Sequence, residues 1–230
     1  MKYAASARST SILIVGLGGQ GILHLSKVLA FAAQRKARFV CRSEFRGLSQ
    51  RGGSVQSAVR YGQSPVVPIL DFHSADLILS MDALEAVRAL DFLSEDGLLL
   101  TDSAVIPPLH VVRSWERQAG NANILAGEFR EKLSDRLSAR MKTFQFDLNG
   151  LAKKAGHLKT ANMVLLGAAS WFIPFSLDEL HLAIKSCVMP ALLEPNLAAF
   201  GLGREVAKPK CLSTMPMEQA VSVLTTSFVE

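Results

Sequence analysis

An apolar run, Ile12-Leu13-Ile14-Val15, passes without a break into Gly16-Leu17-Gly18-Gly19-Gln20-Gly21. A short β-branched run that meets glycine at once reads as a buried parallel strand. The residues after it, 20–35, carry Ile22, Leu25, Val28, Leu29 and Ala32 at helical spacing, so strand, tight turn and helix follow one another. The glycine spacing is that of a dinucleotide loop. Gly16 permits the turn, Gly18 lets backbone approach a phosphate, and Gly21 lets the helix pack on the sheet. The helix start offers N–H groups and a positive dipole end to an anion, which makes Gly16, Gly18, Gly19, Gln20 and Gly21 candidate phosphate contacts. The same loop can also serve packing alone.

A second glycine-rich segment is Ser43-Glu44-Phe45-Arg46-Gly47-Leu48-Ser49-Gln50-Arg51-Gly52-Gly53, expected as a loop. Arg46, Gln50, Arg51, Gly52 and Gly53 are its candidate binding residues. Arginines on flexible backbone suit forked contacts to phosphate or carboxylate, and the bland alternative is a solvated surface loop. An NAD site would need an acidic residue at the end of the second strand, about 20 residues past the glycine loop. The stretch Lys36-Ala37-Arg38-Phe39-Val40-Cys41-Arg42 is basic instead, which speaks against NAD and leaves NADP open through Arg42.

The chain alternates strand and helix up to residue 150. Strands are expected at Ala37–Arg42, Ser54–Tyr61, Asp76–Met81, Leu98–Thr101 and Phe144–Asp147. A helix is expected at Ala83–Leu93. A charged helix from Glu128 to Arg140 should present a solvated face. The expected fold is a doubly wound, mostly parallel, Rossmann-like α/β sheet with helices on both faces. Residues 1–150 form its core. Residues 151–230 form a helical portion packed on the same domain, with Ser176-Leu177-Asp178-Glu179 as a capping box and Met217–Phe228 as a last helix.

Half of the 230 residues are hydrophobic, yet none of the apolar stretches approaches the roughly 20 residues that span a bilayer. The surplus suggests a protein–protein interface, and an exposed apolar patch would let the isolated chain form a homodimer. A formal charge of +5, scattered along the chain, does not indicate a nucleic-acid groove. Cys41, Cys187 and Cys211 are far apart, so local spacing assembles neither a zinc site nor an iron–sulfur cluster. The odd cysteine count and a polar N-terminus fit a reducing cytoplasm. His24, His73, His110, His157 and His181 are dispersed and form no readable relay. Asp82 and Glu85, one helical turn apart, suit a helix N-terminus better than acid–base work. No catalytic residue is expected on this chain.

The two glycine segments together resemble the small subunit of thiamine-diphosphate-dependent 2-oxoacid:ferredoxin oxidoreductases, and most of all its indolepyruvate branch. Residues 16–33 are similar to that family's opening turn and helix. Ser43 to Gly62 resembles its second signature, with Gln50-Arg51-Gly52-Gly53 the most specific element. Residues 75–90, Asn162–Gly167 and Glu194–Gly203 resemble later motifs. Arg46 stands where histidine is common and Asp82 where glutamate is common; residues 113–141 match least. The resemblance implies oxidative decarboxylation of an arylpyruvate with CoA, giving an acyl-CoA, carbon dioxide and reduced ferredoxin. It places thiamine diphosphate and the iron–sulfur clusters in a large catalytic partner. This chain would bind neither and would meet CoA at its surface. It also implies that the Gly18–Gly21 turn and the Arg46–Arg51 loop touch CoA phosphates or seat the large subunit. The competing expectations from the residues are a self-sufficient NADP-dependent dehydrogenase and a stand-alone nucleotide-binding module.

Overall fold

The computed structural model describes residues 9–47, 53–108, 111–113, 122–138 and 142–208. Among these residues six strands form one sheet: β1 (Thr10–Leu17), β2 (Phe39–Arg46), β3 (Ser54–Gly62), β4 (Ala75–Ser80), β5 (Leu93–Asp102) and β6 (Thr143–Phe146). Their spatial order is β2-β3-β1-β4-β5-β6. β1, β4, β5 and β6 pair in parallel, as expected for a doubly wound sheet. β3 runs against both β1 and β2, so the sheet is mixed, with one reversed strand.

β2 extends four residues beyond the expected Arg42, into the segment read as a loop. Its residues pair with β3 one by one from Phe39↔Gly62 to Arg46↔Val55, and this ladder overrides the loop-like look of Ser43–Arg46. The Ser57 hydroxyl adds a bond to the Ser43 carbonyl at 2.8 Å.

Among the described residues helices follow in the same chain order, including α1 (Ile22–Ala33), α2 (Ala83–Ala89), α3 (Ala122–Ser138), α4 (Leu148–Lys154), α5 (Ala161–Ala169), α6 (Leu177–Cys187) and α7 (Leu193–Val206). Strand alternation divides the core between two faces. Ile12, Ile14, Val59, Leu77, Leu79 and Leu100 point to the side of α1, α5, α6 and α7. Leu13, Val15, Ala58, Ile78 and Leu99 point to the side of α2 and α3. α3 begins earlier than expected and is more than a solvated face: Leu133 and Leu137, four residues apart, are buried. The capping box forms. Ser176 Oγ accepts from Glu179 N at 3.3 Å, and the Glu179 carboxylate accepts from Ser176 N at 2.7 Å. Met217–Phe228 lies outside the described residues.

The C-terminal helices are locked by a backbone-to-backbone crossing. A side chain on Gly203 would strike the Val164 carbonyl, and one on Gly167 the Phe200 carbonyl, so α5 and α7 touch through bare backbone. The crossing is clamped at one end. The Arg204 guanidinium lies 3.6 Å over the Trp171 ring and donates to Ser170 Oγ at 2.7 Å, while Trp171 Nε1 donates to the Arg204 carbonyl at 2.9 Å. Gly203→Ala should therefore cost on the order of 3 kcal/mol, seen as a Tm lower by roughly 6–12 °C in thermal denaturation. Gly201→Ala, with open space at its Cβ, should leave Tm unchanged or higher.

Candidate functional site

The first glycine turn is largely closed upon itself. Gln20 folds back: its Oε1 accepts from Leu17 N at 2.6 Å and its Nε2 donates to the Met81 carbonyl at 3.0 Å. The amide thus ties the end of β1 to the end of β4. Gly18 N donates to the Gly53 carbonyl at 2.9 Å, which joins the first glycine segment to the second. Any Cβ at Gly16 would sit 2.6–2.7 Å from Ile22 and Gln20. Gly16, Gly18 and Gln20 therefore hold the turn together, and the turn's open side belongs to Gly19 and Gly21.

Gly21 is the N-cap of α1 at φ 80°, a left-handed conformation suited to glycine. Its carbonyl accepts from Asn162 Nδ2 at 3.2 Å, and a Cβ there would lie 2.5 Å from the same nitrogen. Asn162 Oδ1, fully buried, has no hydrogen-bond partner among the described residues.

A cleft of about 570 Å³ opens in front of this helix start, a size ordinary for small-molecule sites. Gly19, Gly21 and His24 line it from the turn and α1, and His157 and Lys159 from the connection before α5. Asn196 of α7 completes it. Three of the motifs read from the sequence, far apart in the chain, meet here. Burial, and then the nearby Lys27 charge, push His24 below its ordinary value. His157 Nδ1 accepts from Lys159 N at 3.1 Å, which in the neutral ring leaves the proton on Nε2. The cleft is lined by the residues of a helix start, a lysine and two imidazoles together with the apolar Val188, Met189, Leu192 and Pro195. His157, Lys159, Asn162 and Asn196 were not singled out from the sequence. Asn162 and Asn196 stand inside recognisable motifs, but nothing in their spacing shows that they face the glycine turn.

The second segment is only partly described. Arg46 is the last residue of β2, its backbone opposite Val55, rather than a loop residue. Gly53 begins the return into β3. Gln50, Arg51 and Gly52 lie outside the described residues. The reversed β3 has a consequence for nucleotide binding. It separates β2 from β1, so the end of β2 is two strand spacings, about 10 Å, from the glycine turn. Arg42 and Glu44 on β2 form an ion pair at 3.0 Å.

The other strand ends are fastened by buried carboxylates. Asp82 caps α2, accepting from Leu84 N and Glu85 N, and also from Ile106 N at 2.8 Å. Asp102 accepts from Ala104 N, Leu148 N and the Asn149 amide. Glu85 accepts from Ser54 Oγ at 2.6 Å and pairs with Arg88. The helix-start reading of Asp82 is thereby met. Among the described residues no group of three or more His, Cys, Asp or Glu could hold a metal ion, and no helix is long and apolar enough to cross a membrane.

The chain is of the class in which a mixed α/β sheet and its C-terminal helices share a cleft at a glycine turn. The chain belongs to the pyruvate ferredoxin/flavodoxin oxidoreductase family, whose model matches residues 11–206, and within it to the small-subunit type. It is 35% identical over 200 residues to Indolepyruvate oxidoreductase subunit IorB of Thermococcus kodakarensis, covering 86% of this chain and 96% of that one. The subunit of the same name from Methanothermobacter thermautotrophicus is 35% identical over 192 residues, covering 83% and 93%. The fold is shared with the gamma subunit of a keto/oxoacid ferredoxin oxidoreductase from Geobacter sulfurreducens, with TM-score 0.61, 24% identity and coverage of 86% and 98%. It is also shared with 2-oxoglutarate:ferredoxin oxidoreductase of Magnetococcus marinus, solved with 2-oxoglutarate, coenzyme A and succinyl-CoA bound. There the TM-score is 0.63 at 18% identity, over 87% of this chain and 31% of that one.

Burial raises both Asp82 and Asp102 above the ordinary carboxylate range, outweighing the backbone N–H groups that favour their charged forms. A raised folded-state value means that ionisation opposes folding. That penalty is complete above the folded values. It fades as pH falls through them toward the unfolded value near 3.8. Urea midpoints measured from pH 7 to pH 4 should therefore show a gain in stability on acidification that is smaller in an Asp82→Asn, Asp102→Asn double variant than in the wild type.

Proposed function

We infer that this chain is the small subunit of an enzyme that oxidatively decarboxylates an aryl 2-oxoacid, indolepyruvate being the favoured substrate, and passes the electrons to ferredoxin. Its near-complete span of relatives that are themselves indolepyruvate oxidoreductase subunits carries this reading. Thiamine diphosphate and the iron–sulfur clusters belong to the large partner. The residues here offer no cluster ligands at suitable spacing, and a reducing cytoplasm is where such an assembly works.

The chain's own share is the acceptor side. CoA, when bound, supplies the thiol that takes the acyl group. The cleft before α1 would take its diphosphate, because the helix start at Gly21, Lys159 and His157 all line one space with Gly19. Arg46, at the end of β2, and Arg51, five residues on in sequence, are the further candidate contacts for its phosphates. Holding the acceptor in place contributes through orientation and needs no nucleophile or acid–base pair from this chain. The NADP-dehydrogenase alternative is disfavoured on geometry: β3 occupies the place beside β1 from which a ribose or 2′-phosphate is usually read, and Arg42 is engaged with Glu44.

The test is the assembled enzyme, assayed anaerobically for indolepyruvate- and CoA-dependent reduction of ferredoxin. Lys159→Ala should raise KM for CoA about tenfold with kcat nearly unchanged, the loss expected of one charge-assisted hydrogen bond. Arg46→Ala with Arg51→Ala should act in the same direction. Unchanged CoA kinetics in an intact complex would remove the cleft from the reaction, and NADPH binding by the lone chain would favour the dehydrogenase.

A further inference from the structure

Among the described residues, one half-face of the sheet carries an apolar groove. In a doubly wound sheet each crossover lays a helix on one face or the other. The passage from β2 to β3 is a direct reversal and lays none. On the α1 side, α1 covers both strands. On the α2 side, α2 meets β3 at its start, where Glu85 accepts from Ser54 Oγ at 2.6 Å, and beyond it the alternate residues Ser43, Phe45, Gln56 and Ala58 face a groove of about 410 Å³. Its far wall is the extended segment Pro68–Leu70 with Phe92.

That wall is held in shape. Arg60 Nη1 donates to the carbonyls of Val67 at 3.1 Å and Ile69 at 2.6 Å, while its Nε donates to Ser11 Oγ. With these carbonyls gripped, the Val67 and Ile69 side chains stand in solvent, 61% and 72% exposed. Phe72 is 65% exposed and rests on Phe92, ring centroids 4.9 Å apart; Phe45, across the groove, is 78% exposed. No charged residue lines the groove among the described residues. These four side chains together expose on the order of 400 Å² of apolar surface, as much as the largest patch of a typical monomer. That is about half of the ~800 Å² each partner contributes to a standard interface, enough for its dry centre.

We propose that this groove and its Val67–Phe72 ridge are the surface on which the large catalytic subunit docks through an uncharged, apolar element; this rests on the subunit reading above. The chain is one component of a larger enzyme, and in the Magnetococcus marinus structure the same fold is 31% of a single longer chain. The groove starts at Phe45, one residue before the strand end that leads into the arginine segment. Through the register Phe45↔Gln56↔Val15 the groove begins at the same end of the sheet as the glycine turn, on the opposite face from α5 and α7. The chain's own residues 209–230 are the weaker occupant, because they follow Lys208 past α7, in the layer on the other side of the sheet.

The experiment measures binding of the full-length chain to the large subunit from the same cells, with light scattering and thermal denaturation of the lone chain alongside. Ile69→Asp and Phe45→Asp should each weaken binding by about thirtyfold, as expected at an interface centre, while Tm stays that of the wild type. Leu182→Asp, on α6, should stay within about twofold. If wild type binds and both groove variants bind equally well, the docking face is elsewhere and the proposal falls while the subunit reading stands. If wild type itself does not bind, the subunit reading falls with it. Two further results would also overturn the proposal. One is a self-dimer abolished by Ile69→Asp with large-subunit binding unchanged. The other is full hydrogen-exchange protection of residues 69–72 in the monomeric lone chain, which would assign the groove to the chain's own tail.

Discussion

Everything distinctive about this molecule depends on β3 running backwards between β1 and β2. The reversal brings Gly53 beside the first glycine turn, where its carbonyl takes the Gly18 N–H. A hydrogen bond that a nucleotide phosphate would receive in an ordinary dinucleotide loop is made inside the protein. The same reversal moves the tip of β2 away from the turn, and it removes the crossover helix that would cover β2 and β3 on the α2 side. The loss of a standard ribose site and the apolar groove on β2 and β3 among the described residues are thus two results of one topological choice.

The glycine turn is consequently divided. Its inner members, Gly16, Gly18 and Gln20, serve the junction of β1, β4 and β3. Its outer members, Gly19 and Gly21, face a cleft whose other walls come from the C-terminal helices. α5 and α7 cross at backbone contact through Gly167 and Gly203, and both reach the cleft, Asn162 against Gly21 and Asn196 in its lining. The N-terminal sheet and C-terminal helices therefore make one site between them, and neither half holds it alone.

Much of the fold was legible in the residues. The strand–turn–helix at 12–33 follows from an apolar run, glycine spacing and a 3.6-residue period, all local signals. The capping box at Ser176 is likewise local, since both of its bonds lie within four residues. The end of β2 was not legible, because Ser43–Arg46 looks like a loop and becomes strand only through its ladder with β3. The buried stripe of α3 was hidden in a charged stretch where Leu133 and Leu137 are few among many polar residues. In the cleft, Gly19 and Gly21 could be named from spacing. Lys159 and His157 could not, since an isolated lysine or histidine carries no mark of what lies opposite it.

The sequence by itself determined the family, the parallel α/β core and the glycine turn, because each is written in short-range patterns of residue type. It also determined that the chain lacks the cysteine spacing to hold a local cluster. Only the tertiary structure decided which face of the turn is open, which residues 140 positions away complete it, and which half-face of the sheet carries the apolar groove. These depend on strand order and helix crossing, which arise from long-range pairing and close packing and leave no local signature in the chain.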